Sequence, residues 1–228
     1  MSRYVMTFSK KNNMRFISHL DMQRLFRRVF NRAGIKLRFS QGFNPHPITN
    51  TVMPLSLGFE ADCDYFEFET DEPLDAENLC SLLNESLPDG ISFTGAKEIP
   101  HEKKNLSALC EFSGYTVFVP GCSIDEDILN RFLAQDEIYV LKRDKKTKTM
   151  VEKNIKNWIF AVSVPHEKQD GQEFDMILRA APNETLNPLQ LTHSMLKFAG
   201  QEIPVDIRIT RTDLYYTEDG RLKRLFER

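Results

Sequence analysis

The stretch SHLDMQRLFRRVFNRAG, residues 18–34, decides the fold of the first half of the chain. Its apolar side chains recur at the spacing of an α-helix, and Gly34 is a residue type that ends helices. Ser18 and Asp21 stand three residues apart, as the two members of a capping box do. We therefore expect an amphipathic helix with one face packed on a sheet. The apolar stripe on that face consists of Met22, Leu25, Phe26, Val29, Phe30 and Ala33.

Strand patterns flank this helix on both sides. Residues 4–9 and 65–69 alternate apolar and polar side chains, which is the period of a β-strand. We expect two further strands at 36–39 and 91–96, and a second apolar stripe predicts a helix over 76–87. The order β-α-β-β-α-β is that of a ferredoxin-like sandwich, in which two helices cover one face of an antiparallel sheet.

The second half repeats this order more loosely. One helix is expected from a cap at Ser123 with Glu126, and another from Asn187–Pro188 to Ala199. The expected strands are 112–119, 138–141, 158–164, 174–178 and 205–209. These strands include one more strand or hairpin than the fold needs. We therefore predict an α+β protein of two tandem ferredoxin-like domains, 1–104 and 105–228, the second with an inserted strand or hairpin.

Composition and missing motifs narrow the possible functions. The sequence has no run of 18 apolar residues and no charged start followed by an apolar segment, so we expect a cytoplasmic protein without a membrane span. It also lacks GxxxxGK[ST], GxGxxG, GxSxG and HExxH, which argues against ATP hydrolysis, dinucleotide redox chemistry, serine hydrolysis and zincin proteolysis. The four cysteines are too widely spaced for a zinc or iron–sulfur site, so we expect reduced thiols and no cofactor. They are Cys63, Cys80, Cys110 and Cys122.

Charge is distributed unevenly along the chain, although the formal net charge is only -3. Residues 1–50 hold ten Lys or Arg and one acid, a net charge of +9, whereas residues 51–137 carry -15. A positive segment of this strength concentrates anionic ligands around it. It predicts a polyanion, and RNA in particular, as the ligand of the first fifty residues.

Four arginines lie opposite the apolar stripe of the first predicted helix. We call them the arginine face, and they are Arg24, Arg27, Arg28 and Arg32. Like charges three or four residues apart repel each other by about 0.2–0.5 kcal/mol per pair, so such a face is typical of a site for an external anion. The alternative is a solvated face whose guanidinium groups pair with the acidic segment 51–137.

The second distinctive stretch is SQGFNPHP, Ser40–Pro47, which we call loop 40–47. Gly42 permits a positive φ, and the two prolines fix extended geometry, so the loop should be stiff. The loop combines hydrogen-bonding groups for phosphates or base edges, a ring for stacking and a titratable imidazole. These come from Ser40, Gln41 and Asn44, from Phe43, and from His46, respectively.

Other residues extend the predicted RNA surface or offer catalytic groups. Arg15 and Arg38 add positive charge at its two ends, and a basic hairpin around 142–156 would lengthen it through Lys142, Lys145 and Lys146.

His19 begins the arginine helix, where the helix dipole favours anions, and is with His46 a candidate acid or base. Asp21 is interpreted first as a capping residue. Two histidines and one carboxylate are a weak metal signal, so no metal is expected. The aromatic and basic tail, Tyr215 to Arg228, is a further candidate for single-strand binding.

Four motifs together resemble the bacterial radical-SAM-linked family of unknown function. They are RFISHLD (15–21), the arginine face, loop 40–47 and LSLG (55–58). In that family the domain occurs alone beside, or fused after, a cobalamin-binding radical-SAM protein, often near genes for a ribonuclease E/G type enzyme and ribosomal proteins. The resemblance implies a radical-SAM partner and an RNA- or ribosome-related role, and it assigns no catalytic residue. The chain has no CxxxCxxC motif, so it is not expected to be the radical enzyme itself.

Three functions follow from these observations. The first is an RNA-binding adaptor that holds phosphates, and one unpaired base, while a partner enzyme does the chemistry. The second is a metal-independent endoribonuclease with His19 and His46 as acid and base. The third is an interaction subunit whose acidic residues, 60–77, dock the radical-SAM protein. The sequence leaves the oligomeric state open.

Overall fold

The computed structural model describes residues 1–101, 104–143, 147–182 and 184–227. Its helices are α1 (His19–Arg32), α2 (Ala76–Asn84), α3 (Leu106–Leu109), α4 (Glu126–Leu133) and α5 (Pro188–Phe198). Its strands are β1 (Ser2–Lys10), β2 (Thr49–Thr51), β3 (Glu60–Thr70), β4 (Ile91–Ile99), β5 (Phe112–Pro120), β6 (Tyr139–Arg143), β7 (Met150–Asn154), β8 (Ile159–Val162), β9 (His166–Lys168), β10 (Gly171–Ala181), β11 (Glu184–Thr185), β12 (Arg208–Glu218) and β13 (Arg221–Arg224). Antiparallel strands with separate helices confirm the predicted α+β class.

The chain forms two compact units. The first is Met1–Cys110 with Arg211–Arg228, and the second is Glu111–Thr210. The predicted division, between residues 104 and 105, differs from this one because the end of the chain returns to the first unit. Strand β12 begins at Arg208 in the second unit and ends at Glu218 in the first.

In the first unit the strand order is β12–β3–β1–β4, and β2 also pairs with β3. Strand β1 is antiparallel to both of its neighbours, with Met6 opposite Phe66 on β3 and Ala96 on β4. A central first strand in a β-α-β-β-α-β chain is the ferredoxin-like arrangement, as predicted. The predicted strand 36–39 makes only isolated bridges, because the chain leaves the sheet at loop 40–47 and pairs continuously with β3 only from Thr49.

Helix α1 packs its apolar stripe on this sheet. The Phe26 ring lies 5.1 Å from that of Phe8 and 4.9 Å from those of Phe66 and Phe93, measured between ring centroids. Aromatic pairs at these separations stabilise a core beyond the area that they bury. Ser18 caps the helix as predicted, since its Oγ accepts a hydrogen bond from the Asp21 N–H at 3.1 Å. This packing leaves the opposite face of α1 for solvent or a ligand.

The second unit repeats the ferredoxin-like order with β5, α4, β8, β10, α5 and the first residues of β12. Its sheet order is β11–β10–β5–β12, with β8 and β9 also paired to β10. Strands β6 and β7 form a separate two-stranded sheet, which is the predicted inserted hairpin.

Two predicted boundaries in the second unit differ from the structure. The cap of α4 is Asp125, whose Oδ1 accepts from the Ile128 N–H at 2.7 Å, and not Ser123. The last strand starts at Arg208 and not at 205, because Val205 lies exposed in the preceding loop. The predicted cap of α5, Asn187 followed by proline, is confirmed. Among the described residues, none of the helices is long and apolar enough to cross a membrane.

Candidate nucleic-acid interface

The arginine face lies on the solvent side of α1. Arg28 and Arg32 are exposed and Arg27 is half-buried. Arg24 forms an ion pair with Asp21, with 2.9 Å between its Nη1 and Oδ1. In the part of the chain that the structure describes, the other three arginines pair with no carboxylate, and the Arg27 Nε is buried without a hydrogen-bond partner. The face therefore presents three guanidinium groups that have no ion pair among the residues that the structure describes.

The acidic residues of β3 and the turn after it are engaged elsewhere. Their ion pairs are Arg3–Glu67 at 2.6 Å, Arg15–Glu60 at 3.7 Å, Arg38–Glu69 at 3.0 Å, Arg38–Asp71 at 3.7 Å, Arg211–Asp64 at 3.1 Å and Lys11–Asp62. None of these cations belongs to the arginine face. Pairing between that face and the acidic segment, the alternative considered from the sequence, is absent from the described residues.

Two predicted RNA contacts are thus partly committed to carboxylates. Arg15 pairs with Glu60, and its guanidinium carbon also lies 4.8 Å from the centroid of the Phe16 ring. Arg38 pairs with Glu69 and Asp71 at the base of loop 40–47. Their positive charge is shared with carboxylates, whereas Arg27, Arg28 and Arg32 form no ion pair among the described residues, although Arg28 is close enough to Asp21 to help lower the pKa of that carboxyl.

Asp21 is the one acid in the first fifty residues, and its contacts are those of a helix cap. The Ser18 hydroxyl donates to Asp21 Oδ2 at 2.7 Å, and Arg24 donates to Oδ1 at 2.9 Å. These two contacts lower the pKa of the Asp21 carboxyl, with the Ser18 hydrogen bond as the larger cause. Asp21 is therefore a carboxylate that closes the first turn of α1.

Loop 40–47 is closed by hydrogen bonds between its two ends. The Ser40 N–H donates to the His46 carbonyl at 2.8 Å, and the His46 N–H donates to Ser40 Oγ at 3.1 Å. Ser40 Oγ also lies 2.9 Å from His46 Nδ1. Phe39 and Pro47 face each other as a β-bridge just outside this closure. The loop is therefore a short, closed hairpin rather than a loose connection.

The tip of loop 40–47 is exposed along its whole length, residues 41–46. Phe43 projects furthest, with a relative exposure of 112%, and Gln41 and Asn44 flank it. Gly42, at φ +127°, adopts a backbone conformation that an L side chain rarely takes. The tip thus offers a ring and two amides to solvent.

The two candidate catalytic histidines lie at opposite ends of β3. His19 follows Arg15, which pairs with Glu60 at the start of that strand. His46 belongs to loop 40–47, and the Arg38 N–H just before this loop donates to the carbonyl of Glu69 near the other end of β3. Along β3, Glu60 and Glu69 lie about 30 Å apart at the rise of a β-strand. His19 Nε2 lies 3.2 Å from Gln23 Nε2. The structure does not bring the two imidazoles together as an acid and base pair.

The predicted basic hairpin of the second unit is only partly described. Lys142 Nζ lies 4.5 Å from the centroid of the Trp158 ring and also donates to the Thr185 carbonyl, so it is engaged within its own unit. Lys145 and Lys146 lie outside the described residues. In the tail, Arg224 pairs with Asp213 at 3.5 Å and Lys223 with Glu218, so these cations are also partnered.

A buried ionic cluster in the first unit escaped the sequence analysis. Arg211 on β12 is only 2% exposed and pairs with Asp64 on β3. It also donates to the carbonyls of Met53 at 2.8 Å and Pro54 at 3.3 Å. The available signal was that Ile209, Arg211 and Asp213 share one phase of the β12 alternation. Charged side chains on the apolar face of a strand indicate a buried ion pair. The Arg211–Asp64 pair holds the segment that leads into LSLG (55–58).

Within the described residues, no cluster of three or more His, Cys, Asp or Glu side chains is arranged to hold a metal ion. All four cysteines are free, two of them buried and two half-buried, as expected for reduced thiols. The side chains of the candidate interface are cations, amides and aromatic rings.

A family model described as "Uncharacterized protein conserved in bacteria (DUF2344)" matches residues 3–188. The chain belongs to this family. Membership agrees with the bacterial family of unknown function that the motifs resemble, and the matched range includes the arginine face and loop 40–47. The family description names no activity and no partner.

A chain in the crystal structure of a Cbf5-Nop10-Gar1 complex is similar over 95% of this chain and 50% of its own length. The two share 9% sequence identity, with a TM-score of 0.49. This chain thus spans about half the length of that protein. No curated protein matches the sequence.

Proposed function

We propose that this protein is an RNA-binding accessory protein whose arginine face contacts the phosphates of its RNA. A cobalamin-binding radical-SAM enzyme would supply the chemistry, in the modification or processing of RNA or in a ribosome-related task. The role of the chain is that of an adaptor, which holds the RNA while its partner reacts.

The observation that carries this proposal is the absence of carboxylate partners for Arg27, Arg28 and Arg32 among the described residues. Repulsion between guanidinium groups on one helix destabilises that helix, and an external anion relieves it. Phosphate suits this site because its oxygens accept two parallel hydrogen bonds from one guanidinium. A regular row of phosphates along one ligand is a property of nucleic acids.

The distribution of acids supports the same proposal. Glu60, Glu67 and Glu69 pair with cations outside the arginine face and leave the face of α1 positive. These pairs also weigh against the acidic stretch 60–77 as the docking surface for a partner, because much of its charge is already compensated.

The radical-SAM partner is proposed from the resemblance of residues 15–58 to the radical-SAM-linked family. Affinity purification of the tagged chain from bacteria, after nuclease treatment, tests this part. We expect a radical-SAM protein to remain bound, which would show that RNA does not bridge the two. Recovery of the chain without any radical-SAM protein, before and after nuclease, would refute the partner and leave the RNA proposal to its own test.

The RNA test uses the two exposed arginines of the face. Arg28→Glu with Arg32→Glu should lower the affinity for a fluorescein-labelled 20-nucleotide RNA at least about tenfold at moderate salt. Loss of two phosphate contacts should also reduce the slope of log affinity against log salt by about 1 to 1.5, since each contact contributes roughly 0.7 for a single strand. Fluorescence anisotropy from low to moderate salt measures both quantities. Arg27 is left unchanged because it is half-buried and contributes to packing.

The matched control is Arg131→Glu with Lys197→Glu, which changes two exposed helical cations of the second unit and alters the net charge equally. Its RNA affinity should stay within about threefold of wild type, as for a loss of long-range attraction alone. Circular dichroism of both double variants checks that the fold is kept. Equal affinities and equal salt slopes for wild type and the Arg28/Arg32 variant would refute the proposed interface.

A further inference from the structure

The ring of Phe43 is placed where it gains nothing from the fold. Its relative exposure of 112% means that it is at least as open to water as in an extended chain. The other aromatic side chains of loop and helix in this unit, such as Phe30, are buried or half-exposed. Burial of a phenylalanine is normally one of the larger stabilising contributions to a fold, and this position forgoes it.

This exposure is built into a rigid hairpin. The hydrogen bonds between Ser40 and His46 close the loop on both sides of the ring. Pro45 and Pro47 restrict φ on one side, and Gly42 takes the positive φ that turns the chain on the other. A ring displayed by a closed hairpin loses little entropy on binding a ligand, which is the condition for an efficient stacking surface.

Positive charge leads from the arginine face to this hairpin. Arg32 ends α1 and Lys36 follows four residues later, and both are exposed and without ion pairs among the described residues. Lys36 directly precedes Leu37, which pairs with Thr70 at the base of the hairpin. These cations and the exposed ring follow each other along the chain, and Lys36 and Phe43, seven residues apart, lie at most about 25 Å from each other.

We propose that Phe43 is a stacking surface for one unpaired base, so that the RNA held by this protein is single-stranded where it passes the end of α1. This inference rests on the proposed function and adds the class of RNA. A duplex offers its phosphates to arginines but hides the faces of its bases, whereas a single strand exposes both. Gln41 and Asn44, exposed on either side of the ring, are placed to hydrogen-bond the edges of the stacked base.

The test compares one 20-nucleotide mixed-sequence RNA, labelled with fluorescein, as a single strand and annealed to its complement. Wild type should prefer the single strand. Phe43→Ala should weaken single-strand binding between about fivefold and a hundredfold, the range for loss of one base-aromatic stack, and should change duplex binding less than twofold. Phe43→Tyr should restore single-strand affinity, because a phenol ring stacks as well. Val205→Ala, at an equally exposed apolar residue of the second unit, is the control and should change neither.

The outcomes separate the two proposals. If Phe43→Ala leaves both affinities unchanged while Arg28→Glu with Arg32→Glu weakens both, the stacking surface is refuted and the arginine interface stands. If Phe43→Ala weakens single-strand and duplex binding equally, the ring does not read an unpaired base, and the inference is also refuted. If wild type binds neither RNA, the proposed function and this inference fail together.

Discussion

Cys63, on β3, shows how the surroundings of a side chain change its chemistry. Burial is the main cause that raises the pKa of its thiol to about 12, and the nearby carboxylate of Asp213 adds to this effect. The thiolate, and not the thiol, is the nucleophile and the metal ligand, so Cys63 is expected to be unreactive at neutral pH. This is consistent with its interpretation as a small apolar residue rather than a catalytic one.

Alkylation of Cys63 by iodoacetamide at pH 8 should therefore be roughly a thousandfold slower in the folded protein than in the chain unfolded in guanidinium chloride. The rate should rise about tenfold per pH unit well beyond pH 9, because the thiol of the folded state is still largely protonated there. Peptide mass spectrometry after timed quenching measures it, with the unfolded chain as control. A rate that levels off near pH 9 would contradict the raised pKa.

The raised pKa of Cys63 also makes the stability of the fold depend on pH. Since the folded state holds this proton more tightly than the unfolded state, the contribution of Cys63 is fully present below pH 9 and is lost as the pH rises toward 12.

Among the helices and strands, α1 is the one that its own sequence determines most strongly. Its cap, its apolar period and its final glycine all agree, and this is the condition under which a sequence determines an element by itself. The cap also sets where α1 begins, because Ser18 fixes the first turn, and the later turns carry Arg24, Arg27 and Arg28.

Replacing Ser18 by Ala should lower the free energy of unfolding by about 0.5–2 kcal/mol, since the Asp21 N–H loses its acceptor. Urea denaturation followed by circular dichroism measures the change. Ser81→Ala is the control, because Ser81 is an exposed serine inside α2 and alanine favours the interior of a helix. It should be neutral or slightly stabilising. A Ser18→Ala variant as stable as wild type would show that the cap contributes nothing.

Elements that depend on distant residues were harder to predict. Ser123 has the spacing of a cap, yet its backbone groups bind the side chain of Gln201, with 3.1 Å between the Ser123 N and Gln201 Oε1. The helix therefore starts from Asp125 instead. The predicted strand 36–39 differs from the observed β2 for a similar reason. The position of β2 is set by its pairing with Phe68 on β3 and not by its own short sequence.

In the candidate site, too, some features follow from the local sequence and others depend on distant residues. The four arginines of α1 could be assigned to one face because helical periodicity alone determines it. Which cations are neutralised could not be predicted, because Arg15 and Arg38 meet Glu60 and Glu69 only through the placement of β3. Loop composition indicates that Phe43 can stack, but not how far its ring is exposed, because that depends on how the two ends of the loop pair.

At the level of the whole molecule, the return of residues 211–228 to the first unit is the main departure from the predicted arrangement. Sequence periodicity reveals that β12 is a strand but not that residues 211–218 of it belong to the first unit. Arg211 is the first residue of the returning segment, and its buried bonds to Asp64, Met53 and Pro54 anchor that segment.

Arg211→Ala should accordingly lower the free energy of unfolding by about 3–5 kcal/mol, because it leaves the buried carboxylate of Asp64 without its ion partner. Arg211→Met with Asp64→Leu should recover only part of this loss, because it removes this ion pair but leaves the buried ammonium of Lys10 without the nearby Asp64 carboxylate. Urea denaturation measures all variants, with Arg221→Ala, an exposed arginine of β13, as the control. A loss below about 1 kcal/mol for Arg211→Ala would show that the end of the chain does not hold the first unit together.

The course of β12 has a consequence for how this protein is made. The ribosome releases residues 1–110 first, but β3 receives its neighbour β12 only after about a hundred more residues, roughly 5–20 s later at bacterial elongation rates. During that interval the part of β3 that β2 does not cover has an unpaired edge, the kind of surface that chaperones hold and that aggregates recruit. The arginine-bearing domain is thus begun first and completed last, so a truncated translation product would carry the positive helix on an unfinished scaffold.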